Sequence, residues 1–452
     1  MAAVVADGVS APLPGRCAFY VAKKKRYCKM VVGNGKKFCG EHADSDSERK
    51  RIPCPLDPKH TVFEDSLAKH LKKCNSKEKP KPVYYVKDIN AGSVTEEKNT
   101  IDEVSIAERS KEELDSLIQK LKTALKGLNT EPDTSLLSHP ALNEALNDPK
   151  NGNFAFKHLK QQASILGNME ALELLGAERC YVEFGAGKGK LSHWIHVALQ
   201  EAENVHFLLV ERSSTRFKVD GKHKNTDSTF DRLQVDIQHL DLSRVPFLQE
   251  TRLPVIAVGK HLCGAATDLA LRCLCERSAK DKDSEPPTKR IKLQEKEEET
   301  RSIESSEEVV VLGLTVALCC HHRCEWRHYV GKDFFRERGL GEIEFSAFQR
   351  MSSWATCGMN RVKSSLNPEK SSQENDEDGE EGEHEGSSEN LPDHLSNDVS
   401  AEAREDVGRL CKMLINHGRL HYLQQRGFKP SLRYYTSRDV SLENVLLTAL
   451  PS

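Results

Sequence analysis

Residues 181–189 read YVEFGAGKG: a short apolar run, three glycines at alternate positions, then the helix-like stretch KLSHWIHVAL. That order fits a strand, a tight turn and a helix start, and little else. Gly185, Gly187 and Gly189 let the backbone turn sharply and come close to a ligand. From about residue 150 the pattern alternates in the same way. Strands are expected at 180–185, 205–211, 232–237, 254–260, 308–318, 431–437 and 443–450. Helices are expected at 155–175, 188–202, 265–277 and 401–426. Strands separated by helices predict a parallel sheet covered on both faces. The last two strands are joined by the polar turn SRDVSLEN, so they pair antiparallel. The fold class is therefore α/β, a Rossmann-like, mostly parallel sheet with an antiparallel last strand.

The glycine turn alone also fits a dinucleotide site. Three acids separate the two readings. Glu183 stands in the strand just before the turn, suited to the amino-acid part of S-adenosylmethionine. A dinucleotide site more often has a small apolar residue there. Glu211 ends the next strand, where a carboxylate can accept both ribose hydroxyls. Asp236 ends the third strand, where an acid can address the adenine amino group; Asp241 is the reserve for that role. Together with the glycines they predict an S-adenosylmethionine site on a class I methyltransferase sheet.

Methyl transfer from a sulfonium needs an aligned acceptor and a route for the acceptor's proton. In such a sheet the acceptor belongs at the carboxyl ends of the strands. Two segments fall there, GKHLCGAATD (259–268) and LCCHHRCEW (318–326). The Asn/Asp-Pro-Pro-aromatic turn of many amino-group methyltransferases is absent, which disfavours a base amine as acceptor. Lys260 and His261 can polarise or deprotonate a hydroxyl, and His321 is a third candidate. Other readings stay open for the second segment. Cys319, Cys320, His321 and His322 form a possible third metal set, although four consecutive side chains do not easily converge on one ion. A cysteine nucleophile for carbon methylation and a packed pocket wall are the others.

The N-terminal part is built differently. Cys17, Cys28, Cys39 and His42 follow C-x10-C-x10-C-x2-H, and Cys54, His60, His70 and Cys74 follow C-x5-H-x9-H-x3-C. Each set offers four ligands that suit a tetrahedral zinc ion and leaves no open position, so both are structural sites. Segments this short hold little core, and zinc would supply most of their folding energy, roughly 10–16 kcal/mol apparent in zinc-finger peptides. His70 and Cys74 are four apart on the helix-like stretch SLAKHLKKC, and Cys54 and His60 are expected from the preceding turn. Lys23, Lys24, Lys25, Arg26, Lys36 and Lys37 line the first module, with Tyr20, Tyr27 and Phe38 between them. Cations beside aromatic faces suit an RNA backbone with splayed bases; a solvated charged surface is the alternative.

Composition places these parts in one chain of 452 residues with 37% hydrophobic and 30% charged residues. The net charge of −3 conceals a basic N-terminal part and an acidic stretch near the C-terminal end. The 14 cysteines group with histidines, which favours metal or free thiols over disulfides. With no secretory leader and no long apolar run, an intracellular setting, nuclear or cytoplasmic, is expected, with no membrane partner. The expected divisions are a CCCH module at 16–43, a CHHC module at 51–76, a polar linker at 77–100, a helix at 102–128 and the α/β domain at 150–452. In the helix, Ile106, Leu114, Ile118, Leu121, Leu125 and Leu128 form one stripe ending near Gly127. It fits a short coiled coil or a helix packed on its own domain. The polar stretches 278–306 and 363–399 are expected to be disordered insertions, and PPTKRIKL (286–293) resembles a nuclear import signal.

The order of the two modules, VEFGAGKG, GKHLCGAATD and ALCCHHRCEW together resemble the eukaryotic tRNA 2′-O-methyltransferase family acting on acceptor-stem position 4, the tRNA:m4X modification enzymes. The second module alone is similar to one in a minor-spliceosome protein. The family resemblance implies S-adenosylmethionine as cofactor, two structural zinc ions and tRNA as partner. It implies methylation of the ribose of nucleotide 4 in a subset of tRNAs, such as those for glycine, proline and histidine. An RNA-binding scaffold on an inactive methyltransferase fold and a protein methyltransferase are the competing functions.

Overall fold

The computed structural model describes residues 12–22, 26–33, 35–39, 42, 51–74, 76–77, 80–92, 105–213, 229–260, 262–276, 309–356 and 400–452. The stretches 278–306 and 363–399, the cluster 286–293, Lys23, Lys24, Lys25 and His261 lie outside the described residues. The chain divides into two compact units, Met1–Pro82 and Val83–Ser452.

The first unit holds both Cys/His modules. In the first module, β1 (Tyr20–Val21) and β2 (Arg26–Tyr27) pair antiparallel. In the second, β3 (Arg51–Cys54) and β4 (Asp57–Phe63) form a hairpin followed by α1 (Leu67–Lys73). Cys54 and His60 therefore stand on paired strands, not on a loose turn. Cys74 is the residue that ends α1, with extended backbone.

The second unit begins well before residue 150. Helix α2 (Lys111–Ala124) starts at a capping box, with Ser110 and Glu113 satisfying each other's backbone amides. Its buried face is Leu114, Leu117, Leu121 and Ala124, with Ile118 at the flank. This face packs into an aromatic cluster with Trp326, Tyr329, Phe345 and Phe348 of the same unit. The stripe is thus spent on intramolecular packing, which corrects the coiled-coil alternative. The short strand β5 (Asp133–Thr134) joins the main sheet, and α3 (Asn143–Asn147) and α4 (Asn153–Ala171) follow.

The main sheet continues with β6 (Arg179–Phe184), α5 (Lys190–Ala198), β7 (Val205–Glu211), β8 (Thr229–Gln234), α6 (Pro246–Thr251), β9 (Val255–Lys260) and α7 (Ala266–Cys275). After β10 (Val311–Ala317) come α8 (Lys332–Glu337), α9 (Glu342–Met351), α10 (Ala401–Gln424), β11 (Phe428–Tyr434) and β12 (Val445–Pro451). The eight strands lie in the order β5-β11-β12-β10-β9-β6-β7-β8. Only β12 runs against its neighbours. It is last in chain order but lies inside the sheet, between β10 and β11.

Alternation along β6 explains the two covered faces. Cys180, Val182 and Phe184 join one buried cluster with α7 and α10, while Tyr181 joins another with α4 and α5. Glu183 shares the Tyr181 side and so points toward α5. Two strands begin about three residues earlier than the sequence pattern suggests. β11 includes Pro430, which reads as a strand breaker. Here only Arg433 and Tyr434 of β11 meet β5, so the strand is an open edge around Pro430 and loses little by lacking an N–H.

The polar stretch read as a linker is partly docked. Tyr85 bridges to Leu240, and Asn90 Nδ2 donates to the carbonyls of Ile237 and Leu240 at 2.6 and 2.8 Å. Residues 84–91 thus strap the turn that follows β8.

Candidate functional site

The glycine turn is held by its neighbouring strands. Gly185, Gly187 and Gly189 have φ of 62°, 48° and 73°, the left-handed region that favours glycine. The Gly187 amide donates to Glu211 Oε2 at 3.0 Å from the end of β7. Arg232 of β8 donates to the Gly187 carbonyl, also at 3.0 Å. A side chain at Gly187 would enter open space, whereas one at Gly189 would come within 2.7 Å of Leu209. Open space beside a fixed turn is what a bound ligand requires.

Glu183 and Glu211 are shifted in opposite directions from the usual carboxylate range. Glu183 is 4% exposed and accepts from the Ser192 amide at 2.9 Å and from its hydroxyl, both on Oε2. Burial pushes its carboxyl up to about 7, against the pull of those bonds. Glu211 is held below the usual carboxylate range. Burial opposes ionisation there, but donors from Ser213, Gly187 and Arg212 outweigh it. Its two oxygens can accept further bonds beyond those from Gly187 and Ser213, so ribose hydroxyls fit.

Asp236 stands two residues beyond β8, not at its end. It caps the following turn by accepting from the Gln238 amide at 3.0 Å, and Arg212 lies 3.6 Å away. Its part-exposed carboxylate still borders the carboxyl edge of the sheet. Asp241 is buried and engaged by Ser243 and Arg244, which takes it out of reserve. These residues fit S-adenosylmethionine: a low-lying carboxylate for hydroxyls, a buried acid near a cation, and a turn with room at Gly187.

On the acceptor side, Lys260 ends β9. It is 8% exposed, and its Nζ lies 2.8 Å from His158 Nδ1 on α4. Nothing in the sequence signals His158. His321 lies deeper than its place beside a strand end suggests. It is 1% exposed, and its Nε2 lies 2.8 Å from Asn416 Oδ1 on α10. Burial first, then the charges of Arg419 and Lys412, hold it well below the ordinary histidine range, so it stays neutral. That geometry ties His321 to α10.

The scaffold joins both acceptor-side segments. Arg419 donates to Asp268 Oδ2 at 2.8 Å and Oδ1 at 3.2 Å, to Asn416 Oδ1 at 3.1 Å, and to Cys324 Sγ at 3.1 Å. Gly264 (φ 63°) lets the two segments touch, because a side chain there would meet the Arg323 carbonyl at 2.5 Å. Leu262 packs over Gly185, which brings the first segment against the glycine turn. Cys319 and Cys320 do not gather with the histidines. Their sulfurs each lie 3.2 Å from Cys263 Sγ.

Both N-terminal sets converge as their spacing predicts. A tetrahedral zinc ion with bonds of about 2.3 Å to sulfur and 2.0–2.1 Å to nitrogen requires separations of about 3.8 Å for S···S, 3.6 Å for S···N and 3.4 Å for N···N. The first set shows Cys28–Cys39 at 4.0 Å, Cys17–His42 at 3.5 Å and Cys39–His42 at 3.2 Å. In the second, Cys54–Cys74 is 3.8 Å, Cys74–His60 is 3.6 Å, Cys54–His70 is 3.2 Å and His60–His70 is 3.1 Å. Asp57 lies 3.5 Å from the other nitrogen of His60, a partner that orients the ligand.

Comparison with known proteins agrees with this division. The family model described as "Methyltransferase TRM13" matches residues 160–450. "CCCH zinc finger in TRM13 protein" matches 15–43, and "U11-48K-like CHHC zinc finger" matches 51–75. The chain is 57% identical to the tRNA:m(4)X modification enzyme TRM13 homolog of Mus musculus, over 100% of this chain and 97% of the relative. The Homo sapiens homolog is 56% identical over 98% and 95%, and the Schizosaccharomyces pombe tRNA:m(4)X modification enzyme TRM13 is 34% identical over 90% and 96%. Both zinc-finger matches and the match over the sheet fall in one order on one chain, and on that ground the chain belongs to the TRM13 methyltransferase family.

Proposed function

We propose that this chain is an S-adenosylmethionine-dependent methyltransferase that methylates the ribose 2′-hydroxyl of nucleotide 4 in the acceptor stem of a subset of tRNAs, of the glycine, proline and histidine type. The observation that carries the cofactor is the Gly187–Glu211 hydrogen bond, which fixes an ionised acid beside an open turn. The printed names of the relatives, tRNA:m(4)X modification enzymes, support tRNA as substrate. An intracellular setting, nuclear or cytoplasmic, belongs to the same proposal.

When bound, S-adenosylmethionine supplies an electrophilic methyl group. The chain's own residues then do three things. Glu183 and Glu211 orient the donor at either side of the turn. Lys260, set by His158, stands at the strand end where a ribose hydroxyl would lose its proton. A cationic amine there stabilises the forming alkoxide; a neutral one accepts the proton. The two zinc fingers hold RNA. Tyr20 is 37% exposed beside Tyr27, and Lys36 and Lys37 are on the surface, as a stacking and phosphate-contacting face requires.

The test is incubation of the zinc-loaded chain with labelled cofactor and separate tRNA and protein pools, followed by mapping of ribose methylation. Label at nucleotide 4 of the acceptor stem is expected. Label confined to protein, or no binding of cofactor, sinks the proposal.

A further inference from the structure

The Cys263, Cys319 and Cys320 sulfurs form a third cluster outside the fingers. Its dimensions differ from theirs. The finger sulfur pairs stand 3.8 and 4.0 Å apart, matching the edge of a zinc tetrahedron. The Cys263 pairs are both 3.2 Å. With bonds of about 2.3 Å that spacing closes the S–metal–S angle to about 90°, well below the tetrahedral value. A disulfide bond is about 2.05 Å long, so a further approach of a little over 1 Å brings either pair to bonding distance.

The backbone is shaped for this meeting. Consecutive side chains on an extended chain diverge. Cys320 has a φ of 45°, the left-handed region that a non-glycine residue occupies only at a cost of about 1–2 kcal/mol. That turn lets two neighbouring cysteines face the same third one. Cys319 and Cys320 are buried, and Cys263 is half-buried and so is the sulfur within reach of a small oxidant. The cluster bridges the carboxyl ends of β9 and β10, next to Leu262, which packs on the glycine turn.

We propose that Cys263 is a site of reversible oxidation, forming a disulfide with the Cys319–Cys320 pair when a hydroperoxide is present. In the balanced step, two thiols and one hydroperoxide give one disulfide, one alcohol and one water; for hydrogen peroxide the products are a disulfide and two waters. The thiols lose two electrons and two protons, and the peroxide O–O bond breaks to accept them. The bond ties the two acceptor-side segments together. On the reading of this chain as a methyltransferase, it blocks the approach of the acceptor and stops transfer until a thiol reductant reopens it.

The test uses the full zinc-loaded chain, reduced and then exposed to graded hydrogen peroxide, alkylated, digested and mapped by mass. A cross-linked peptide joining Cys263 to Cys319 or Cys320 is expected, reversed by dithiothreitol and absent from Cys263→Ser. Metal content is expected at two zinc ions per chain in both proteins. A Cys263 that remains alkylatable throughout overturns the proposal. A third metal ion in the wild type that Cys263→Ser loses overturns it in favour of a thiolate metal site. If Cys263→Ser does not fold, the wild-type map and the single variants Cys319→Ser and Cys320→Ser still decide. In the activity arm, oxidation is expected to lower methyl transfer more than tenfold in the wild type and little in Cys263→Ser; equal loss in both overturns the regulatory role. The cross-link is read by mass alone, so its failure is distinguishable from failure of the tRNA reading.

Discussion

The Gly187 amide donates to Glu211 Oε2 at 3.0 Å, so the tip of the glycine turn hangs on the end of the next strand. Glu211→Ala removes that support and the acid proposed for the ribose. A hydrogen bond to a charged group contributes roughly 1.5–3 kcal/mol, so cofactor affinity is expected to fall about tenfold to a hundredfold. Titration calorimetry with S-adenosylmethionine checks it; unchanged affinity removes Glu211 from the site.

Gly187 and Gly189 are predicted to fail in different ways. Gly187→Asp faces open space but must take a left-handed backbone, so it should abolish cofactor binding at a stability cost of about 1 kcal/mol. Gly189→Ala drives a methyl group into Leu209 at a left-handed position and should destabilise by about 1–3 kcal/mol. Paired urea melts and binding curves separate the two.

Glu183 predicts a pH signature. Its carboxyl is raised from 4.5 to about 7, chiefly by burial. Between those values the folded chain holds a proton that the unfolded chain has released. Stability therefore falls as pH rises through that window and levels off above it. Cofactor binding runs the other way, because a cationic ligand favours the carboxylate. Affinity should increase as pH rises through about 7, and Glu183→Gln should flatten the dependence. A pH-independent wild-type affinity contradicts this.

The Asp268–Arg419 pair is nearly fully buried, with relative exposures of 0% and 2% for the two side chains. Asp268→Ala leaves a guanidinium without its counter-charge and should cost roughly 3–5 kcal/mol. Asp268→Ala with Arg419→Met should cost less than the single change. Denaturant titration of the three proteins tests that order.

In the second finger, Cys54→Ser or His70→Ala should lower bound zinc from two ions per chain to one. RNA affinity should fall while cofactor affinity stays near wild type. Zinc analysis with both binding assays gives the result; two ions retained per chain contradicts the ligand set.

The inner strands were legible because burial on both faces leaves an unbroken apolar run. β7 and β9 start and stop within a residue of the expected positions. Edge strands carry no such run: β8 reads TFDRLQ, and β11 contains Pro430. The convergence of the finger ligands was readable from spacing, and the places of Glu183 and Glu211 at the ends of strands beside the glycine turn from the apolar runs that precede them. Other parts had no local signal. Asn90 satisfies carbonyls at 237 and 240, and His158 meets a lysine 102 positions later. Cys263 reads as one thiol in a loop until the fold delivers two more. A histidine beside a strand end looks available, and the burial of His321 against Asn416 has no local signal either.

The position of β12 governs the order of assembly. It is made after the other seven strands of this sheet, yet it separates β10 from β11. Until it emerges, β11 has no place beside β10, and one edge of β10 stands unpaired. The sheet therefore closes after synthesis of Val445–Pro451, not progressively. During translation the nascent domain presents an open apolar strand edge, the kind of surface that chaperones cover.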